Sequence, residues 1–509
     1  MRDFILVYIN GREHKLTGEA VFQPITEYIR SSASLCGTKV VCAEGDCGAC
    51  TVMLGRLDQS EKETQPENEA QLDKATDKGT STGSKKLSYK PVNACILYGY
   101  QVDCCHLITV EGLKSNGALT AVQDAMVECH GAQCGYCTPG FIVAMTALFE
   151  DREPLVDSDI KDGLTGNLCR CTGYESIVKA GLEVDTEKIV SVGDLFDESA
   201  ILKGFDQVRD QQVLVEHEGK RAILPDSLDA LVEAKCKYPK GRLVAGGTDL
   251  SVQLNKGFIE IEDVIYTGSV SEIDYIRFTD SKEGDRVEVG ASVSLSDLES
   301  CLLRRHPDLD YIFWVFGSPQ IRNQGTLAGN IANGSPIADT LPYLFVMDAR
   351  IHVKGRSGSR EIPILEFYTG YKKLALDQGD GEVITGVSFG LPSAEETLKL
   401  YKVSRRQHLD ISAFTAAIRV RRKGSLVESA AIAYGGVAAT VQRLEEVEEF
   451  LAGKEYSLET FCEAGEMARK SLEPLSDVRG SREYRLKLSE NIMSRFYYET
   501  ARGEELACR

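Results

Sequence analysis

Eight cysteines in the first third of the sequence form two separate quartets. The first quartet has C-x4-C-x2-C spacing with a fourth cysteine downstream, and it consists of Cys42, Cys47, Cys50 and Cys95. The second joins a C-x2-C pair to a C-x-C pair, and it consists of Cys134, Cys137, Cys169 and Cys171. Three cysteines in C-x4-C-x2-C spacing are typical of plant-type [2Fe-2S] ligands. Two such clusters would carry electrons one at a time.

Zinc and disulfides are the alternatives for these cysteines. Soft thiolates suit zinc as well as iron-sulfur clusters, and for the second quartet, taken alone, zinc is nearly as good an interpretation. A zinc ribbon would need two similar close pairs, which the first quartet lacks. The N-terminal MRDFILVYINGREH has neither a long apolar core nor a small-residue cleavage site, so no signal peptide is indicated. Metal-bound thiols in a reducing cytosol are therefore expected rather than a disulfide framework.

The composition is that of a large soluble enzyme. The chain has 509 residues, of which 43% are hydrophobic, and this is enough for several cores. No stretch approaches the roughly 20 apolar residues that span a bilayer. The formal net charge of −19 argues against nucleic-acid binding, which needs clustered Lys and Arg.

The elements that would position the first quartet are short strands. The segments FILVYIN and TVMLG predict strands on either side of the glycine-containing cysteine loop EGDCGAC. From about Asp58 to Lys86 the chain is polar and nearly free of large apolar residues, so we expect a disordered insertion without a catalytic role. It separates the third ligand from the fourth, and closing so long a loop costs little extra entropy.

Helices are predicted around the second quartet. Apolar residues recur at helical spacing in AVQDAMVECH, FIVAMTALFE and YESIVKAGLE. Both cysteine pairs are therefore expected at helix N-termini, where free N–H groups and the macrodipole favour a negatively charged cluster. This raises the iron-sulfur interpretation of the second quartet above zinc.

The second half of the chain contains two glycine-rich segments. The helix predicted for DSLDALVEAKCKYP is followed by the strand and loop RLVAGGTDL, whose glycine amides suit a phosphate group, although a plain turn would need the same residues. Farther on, GSPQIRNQGTLAGNIANGSPIADTLP is long, polar and non-repetitive. Loops of this kind inside a compact domain are usually functional.

Five segments together resemble the iron-sulfur and FAD portions of the xanthine dehydrogenase family of molybdenum hydroxylases. They are EGDCGACTV, QCGYCTPGF, GNLCRCTGY, VAGGTDL and QIRNQGTLAGNIANGSPIADTLP, in the order in which they occur in that family. Iron-sulfur and flavin portions on one chain that stops near residue 509 resemble the small subunit of bacterial members, whose molybdopterin domain is a separate large chain.

The resemblance implies a multidomain α+β fold. The expected parts are a plant-ferredoxin-like [2Fe-2S] domain at 1–112 with the insertion at about 58–86, a helical [2Fe-2S] domain at 113–185 and a linker at 186–222. After these come an FAD-binding domain of the vanillyl-alcohol-oxidase/CO-dehydrogenase flavoprotein type at 223–395 and a C-terminal α/β lobe at 396–509.

The resemblance also implies roles for individual residues. The two quartets would bind two [2Fe-2S] clusters, and Gln133 matches the family glutamine that contacts the pterin of the partner chain. The loop expected to hold the FAD pyrophosphate consists of Leu243, Val244, Ala245, Gly246, Gly247, Thr248, Asp249 and Leu250. The rest of the FAD site would consist of Phe316, Thr326, Gly329, Asn330, Asp339, Ile384 and Lys402.

The expected function is an electron relay inside a cytoplasmic heterotetramer. In this family a purine is hydroxylated at molybdenum on the partner chain, and electrons pass through two clusters to FAD and then to NAD. We therefore expect no catalytic residue for hydroxylation in this chain. An aldehyde or an N-heterocycle remains an alternative substrate, and dioxygen an alternative acceptor. An alternative of another class is a zinc-stabilised nucleotide-binding module, which would be colourless.

Overall fold

The structure, a computed structural model, describes residues 1–58, 63–64, 85–114, 117–150, 153–279 and 285–501. Most of the predicted insertion at about 58–86 lies outside the described residues. Its two ends are adjacent, because the Asp58 N–H donates to the Lys86 carbonyl at 2.7 Å. None of the described helices combines the length and the apolar character needed to cross a membrane.

The N-terminal region contains the elements β1 (Ile5–Ile9), β2 (Arg12–Leu16), α1 (Ile25–Glu27), β3 (Thr51–Leu57), β4 (Glu63–Thr64), β5 (Leu87–Asn93) and β6 (Cys105–Ile108). Five of these strands form a mixed sheet in the order β2-β1-β6-β3-β5. Strand β1 is buried along its whole length. The strands predicted for FILVYIN and TVMLG are β1 and β3, so both predictions are confirmed.

Helices follow this sheet, and they are α2 (Ala121–Glu128), α3 (Thr138–Leu148), α4 (Asp157–Gly163), α5 (Glu175–Leu182) and α6 (Glu198–Asp206). Helix α2 begins with a capping box, in which Thr120 and Gln123 each bond the other's backbone N–H. Helix α3 is apolar nearly all round and buried from Gly140 to Thr146. The three helices predicted here, α2, α3 and α5, are confirmed.

The segment predicted as a linker, 186–222, contains helix α6 and a strand. The aromatic ring of Phe205 in α6 packs edge-on against Tyr8 of β1, with ring centroids 5.6 Å apart. Only two of the nine α6 residues, Ile201 and Phe205, are buried. Two apolar residues four positions apart do not establish a helical periodicity in a segment with several charged residues. The sequence therefore does not predict this helix.

The central region forms a four-stranded sheet, β7-β8-β10-β9, and a six-stranded sheet, β14-β13-β17-β12-β11-β4. Its strands are β7 (Val213–His217), β8 (Lys220–Leu224), β9 (Arg242–Val244), β10 (Asp263–Tyr266), β11 (Ile276–Thr279), β12 (Arg286–Gly290), β13 (Arg350–Gly355), β14 (Gly358–Pro363), β15 (Tyr368–Gly370), β16 (Lys373–Leu374) and β17 (Val383–Gly390). Its helices are α7 (Leu228–Lys237), α8 (Leu250–Asn255), α9 (Leu295–Arg305), α10 (Asp310–Val315), α11 (Pro319–Arg322), α12 (Leu327–Asn333), α13 (Leu341–Val346) and α14 (Ile364–Phe367). The predicted α7 and β9 are therefore present.

The C-terminal region is an antiparallel sheet, β18-β19-β20-β21, covered by helices. The elements are β18 (Glu396–Val403), β19 (Phe414–Lys423), β20 (Leu426–Gly435), β21 (Gln442–Arg443), α15 (Glu445–Leu451), α16 (Leu458–Ser471) and α17 (Arg482–Ala501). Strands β19 and β20 pair over most of their length, and their apolar faces join α16 and α17 in one core.

Candidate cofactor sites

The four cysteines of the first quartet come together between β3, β5 and the loop that precedes β3. The Cys42 thiol is in hydrogen-bonding contact with Cys47 and Cys95, and Cys95 is also in contact with Cys50. Cys50 and Cys95 are buried, whereas Cys42 and Cys47 are half-buried, so one side of this quartet lies in the interior. Fifty-three residues of sequence separate the first ligand from the fourth, and the pairing of β3 with β5 brings them together.

The loop that carries the first three cysteines depends on its glycines. Gly48 has a φ of +66°, and a Cβ there would lie 2.2 Å from the Gly166 carbonyl oxygen. Only glycine combines this backbone conformation with so close an approach. The loop is held from β5 by Asn93, whose Nδ2 donates to the Gly45 carbonyl at 2.7 Å.

Sulfur contacts also set the protonation of the first quartet. Hydrogen bonds from Cys47 and Cys95 lower the pKa of the Cys42 thiol, and the Glu44 N–H donates to its sulfur at 3.5 Å. The same contact with Cys42 raises the pKa of Cys47 and of Cys95. A thiolate is the form that binds metal, so the quartet favours loss of its first proton at Cys42.

The second quartet consists of two close pairs of thiols. The Cys171 and Cys134 sulfurs are 3.6 Å apart, and Cys137 is in contact with Cys169. A [2Fe-2S] cluster takes two protein ligands on each iron, so two pairs fit it. Among the described residues, no group of three or more His, Cys, Asp or Glu side chains is arranged to hold a single metal ion.

Polar groups around the second quartet also suit a sulfur-rich anion. Thr172 donates to the Cys169 sulfur from Oγ1 at 3.1 Å and from its N–H at 3.5 Å. Burial would raise the pKa of Cys169, but these hydrogen bonds outweigh it and the pKa is lowered. The Thr138 hydroxyl, in the first turn of α3, is buried without a hydrogen-bond partner in the described part of the chain. N–H and O–H donors aimed at sulfur are the protein's means of tuning a cluster.

The helix N-termini predicted beside the second quartet are present in part. Cys137 is the N-cap residue of α3. The Cys169–Cys171 pair precedes α5 by several residues, because Tyr174 in left-handed conformation forms the N-cap there. Cys134, Cys171 and the neighbouring Gln133 are exposed, so one edge of this quartet faces the surface.

The two quartets are joined by direct contact between their loops. The Leu168 N–H donates to the Cys47 carbonyl at 3.0 Å. This hydrogen bond connects a ligand of the first quartet to the residue that precedes Cys169 of the second. Asn167 Nδ2 donates to the Gly48 carbonyl at 3.0 Å. Gln320 of α11 donates to Asn167 Oδ1 at 2.8 Å and is fully buried. The central region therefore packs against both cysteine loops at one point.

The predicted phosphate loop runs from β9 into α8. Leu243 and Val244 belong to β9, and Leu250 begins α8, so Ala245 to Asp249 form the connection. A Cβ on Gly246 would lie 1.9 Å from the Gln324 carbonyl oxygen, so glycine is required there. In the described part of the chain, the N–H groups of Gly246, Gly247 and Thr248 donate no hydrogen bond. Such free amides before a helix fit a phosphate or pyrophosphate.

The remaining predicted FAD residues fall into two connected groups. In one, Thr326 caps α12 by accepting from the Gly329 N–H at 2.9 Å. The Asn330 Oδ1 of this helix accepts from the Thr340 hydroxyl at 2.6 Å, beside Asp339. Half-buried Ile384 packs against the same core from β17. The loop reaches this group because Gln324 Nε2 donates to the Gly246 carbonyl at 2.7 Å.

The second group is centred on a buried ion pair. Lys402 Nζ lies 2.8 Å from Asp339 Oδ2, with only 3% and 8% of the two side chains exposed. Burial raises the pKa of Asp339, and Lys402 and the Ser412 hydroxyl, which donates to Oδ1 at 2.5 Å, oppose this shift. Lys402 also donates to the Val315 carbonyl at 2.9 Å, which places it beside half-buried Phe316.

Several residues that support these sites had no role in the sequence-based predictions. Asn93, Asn167, Gln320, Gln324 and Ser412 each bond a predicted site residue or its neighbour. Their partners are distant in sequence; for example, 153 residues separate Gln320 from Asn167. Gln324 lies within the segment QIRNQGTLAGNIANGSPIADTLP, whereas Ser412 lies outside the five segments that carry the family resemblance.

Three protein families match this chain. The "[2Fe-2S] binding domain" matches residues 109–182, the "FAD binding domain in molybdopterin dehydrogenase" matches 218–392, and the "CO dehydrogenase flavoprotein C-terminal domain" matches 399–500. The second quartet lies in the first of these regions. The Ala245–Asp249 loop and Asp339 lie in the second, and Lys402 lies in the third.

Curated relatives match over nearly the whole chain. Xanthine dehydrogenase 1 of Arabidopsis thaliana is 28% identical over 97% of this chain and 39% of its own length. Xanthine dehydrogenase of Drosophila subobscura is 28% identical over 86% of this chain and 34% of its own length. The chain thus spans between a third and two fifths of the length of these relatives.

Solved structures match about half of the chain. A chain of quinoline 2-oxidoreductase from Pseudomonas putida 86 is 26% identical, with a TM-score of 0.50, over 55% of this chain and 96% of its own length. A chain of carbon monoxide dehydrogenase from Hydrogenophaga pseudoflava is 27% identical, with a TM-score of 0.50, over 54% of this chain and 94% of its own length. The predicted fold class is confirmed by these structures and by the matches to the [2Fe-2S] binding domain and the FAD binding domain.

Proposed function

We propose that this iron-sulfur and FAD module of the molybdenum hydroxylases is the electron-transfer subunit of a xanthine dehydrogenase. Cys42, Cys47, Cys50 and Cys95 would hold one [2Fe-2S] cluster, and Cys134, Cys137, Cys169 and Cys171 the other. When bound, the clusters would carry single electrons and FAD would pass them in pairs to NAD. The chemistry of hydroxylation would reside on a molybdopterin-binding partner, and residues of this chain would position, insulate and tune its cofactors.

The observation that carries this proposal is the contact between the three sites. The hydrogen bond from Leu168 to the Cys47 carbonyl joins the two cysteine loops at 3.0 Å. Gln101, which follows the first-quartet residue Cys95 in sequence, contacts the phosphate loop, because its Nε2 donates to the Gly246 carbonyl at 3.0 Å. The sites thus form a series from the second quartet, which reaches the surface at Cys134 and Cys171, through the first quartet to the flavin-type loop.

Residues of this chain would have three tasks. The N–H groups of Gly246 to Thr248 would bind the FAD pyrophosphate, and the Asp339–Lys402 pair would fix the segments around the rest of the flavin. Burial of Cys50 and Cys95 would limit the access of water to the first cluster from that side. Backbone and hydroxyl donors at Cys42 and Cys169 would tune the two clusters.

The partner would bind where the second quartet reaches the surface. Besides Gln133 and two exposed cysteines, this region exposes three apolar side chains, Val41 at 60%, Tyr136 at 49% and Leu168 at 41%. The Tyr136 hydroxyl donates to the Val40 carbonyl at 3.3 Å, so Tyr136 and Val41 are neighbours. Apolar side chains grouped on a surface mark contact sites. We propose that two copies of each chain assemble as a heterotetramer.

A related molybdenum hydroxylase is a second candidate. The sequence identity to quinoline 2-oxidoreductase, 26%, is only slightly below the 28% identity to the xanthine dehydrogenases. An N-heterocycle or an aldehyde would then replace the purine. The substrate pocket would lie on the partner in either case, so the relay itself would be the same.

The test begins with iron, acid-labile sulfide, zinc and FAD per chain, measured on protein purified without oxygen. We expect about four irons, four sulfides and one FAD, since each [2Fe-2S] site holds two irons and two sulfides. Zinc without sulfide or flavin would overturn the proposal. The complex with its molybdopterin partner is then assayed with xanthine, quinoline and an aldehyde, with NAD and dioxygen as acceptors. Xanthine-dependent formation of NADH supports the first candidate.

A further inference from the structure

Helix α8 connects the phosphate loop directly to the first cysteine quartet. It begins at Leu250, just after the loop, and ends at Asn255. Asn255 Nδ2 donates to the Ala43 carbonyl at 2.9 Å and to the Cys95 carbonyl at 2.8 Å. Its Oδ1 accepts from the Tyr98 hydroxyl at 2.9 Å. One side chain of the flavin region therefore makes three hydrogen bonds to the first-quartet region.

The two carbonyl groups belong to the two chain segments that supply the quartet. Ala43 lies in the loop with the first three cysteines, and Cys95 follows β5, beyond the insertion. A primary amide has two N–H donors, so Asn255 holds both segments at once. The next residue extends this contact, since Lys256 Nζ lies 3.0 Å from the Cys42 carbonyl oxygen and 3.1 Å from Glu44 Oε2.

We propose that Asn255 is a positioning residue of the first [2Fe-2S] site, and that α8 makes retention of this cluster depend on an ordered flavin loop. The inference rests on the proposed function, because it takes the first quartet as a cluster site and the loop as a flavin site. Coupling of this kind is reciprocal, so loss of FAD should weaken the first cluster as loss of the cluster weakens FAD binding. The second cluster has no contact with Asn255 among the described hydrogen bonds and serves as an internal control.

Two matched substitutions in the full chain test the inference. Asn255→Asp keeps the size of the side chain and an acceptor for Tyr98, but it places a carboxylate against two carbonyl oxygens. Tyr98→Phe removes only the third hydrogen bond and leaves both carbonyl contacts. For each variant, the electron paramagnetic resonance signal of each reduced cluster is quantified, together with iron, sulfide and FAD per chain.

We expect Asn255→Asp to retain iron at the first cluster roughly tenfold less well, while the second signal persists. Tyr98→Phe should resemble the wild type. If Asn255→Asp does not fold, Asn255→Ser, which keeps one donor, should give an intermediate loss. In the wild type, removal of FAD should perturb the first signal and leave the second unchanged.

Two results would overturn the inference. One is an Asn255→Asp protein with both signals at wild-type intensity. The other is a proportional loss of both clusters and FAD, which indicates general destabilisation. A wild-type chain without two cluster signals would instead refute the proposed function, so the two failures are distinguishable.

Discussion

At the scale of single residues, the sites depend on side chains that have few alternatives. The thiols of the first quartet contact one another, and Asp339 is buried with a single cationic partner, Lys402. His106 is fully buried as well. Changes at these positions should therefore have specific and separable consequences.

Cys47→Ser should abolish the first cluster, and FAD should still bind, although less tightly because the first cluster site and the flavin loop are coupled. Serine removes the soft ligand that iron prefers, while the residues of the phosphate loop are unchanged. Iron should fall by about half, and one of two electron paramagnetic resonance signals should disappear. Cys36→Ser is the matched control, because Cys36 is exposed and outside both quartets. An unchanged cluster count in Cys47→Ser would remove this ligand assignment.

Asp339→Ala should weaken FAD retention and destabilise the fold. It leaves the Lys402 ammonium buried without its partner, and breaking a buried pair in this way costs about 3–5 kcal/mol. Thermal unfolding and FAD per chain after gel filtration measure the two effects. The double variant Asp339→Ala/Lys402→Met should recover part of the lost stability, since it buries no unpaired charge. Full FAD occupancy in Asp339→Ala would contradict the role given to this residue.

Stability of the N-terminal sheet should fall as pH drops below 6.5 because of His106. Burial lowers the pKa of His106 to about 4, and its Nε2 accepts from the Gly11 N–H at 3.0 Å. Between pH 6.5 and 4 the unfolded chain therefore binds a proton that the folded chain does not. The loss between pH 7.5 and 5 should be about 2 kcal/mol.

Hydrogen exchange of the β1 and β6 amides at the two pH values measures this effect. His106→Gln cannot titrate, so its protection should change less between the two conditions. Equal changes in the variant and the wild type would assign the acid sensitivity to other groups.

At the scale of elements, the N-terminus of α3 must approach the first cysteine loop closely. A Cβ on Gly140 would lie 2.1 Å from the Gly48 carbonyl oxygen. Gly140→Ala should therefore displace α3, lower the content of both clusters and cost about 1–3 kcal/mol. Gly370→Ala is a suitable control, because its Cβ would meet only the Lys373 side chain, at 3.7 Å. Iron content and unfolding temperature distinguish the two variants.

The elements themselves were largely predictable, whereas their contacts were not. Strands β1 and β3 and helices α2, α3, α5 and α7 follow from local apolar spacing, which a short stretch of sequence contains. Helix α6 was not predicted, because it has only two buried residues. The bonds that join the sites, such as that from Asn255 to Cys95, cross 160 residues. They depend on how the domains pack, and no local pattern specifies them.

At the scale of the whole molecule, the exposed surface at the second quartet should decide partner binding. Tyr136→Glu and Leu168→Glu should weaken association with the molybdopterin chain at least tenfold, because charges replace apolar contacts there. Both side chains are exposed, at 49% and 41%, so the isolated chain should keep its clusters and FAD. Leu426→Glu, at an exposed position of the C-terminal region, is the control. Equal affinities measured by calorimetry for all three variants would place the interface elsewhere.

The β3–β5 pairing has a consequence for tolerance of sequence change. Thr51 pairs with Asn93 at the cysteine end, and Leu57 pairs with Leu87 at the end where the insertion leaves and returns. Six residue steps, or about 20 Å, separate these two ends. Extra chain can therefore be accepted at the far end without moving the cysteines. The same position is suited to an affinity tag or a fluorescent label, attached where it does not disturb the ligands.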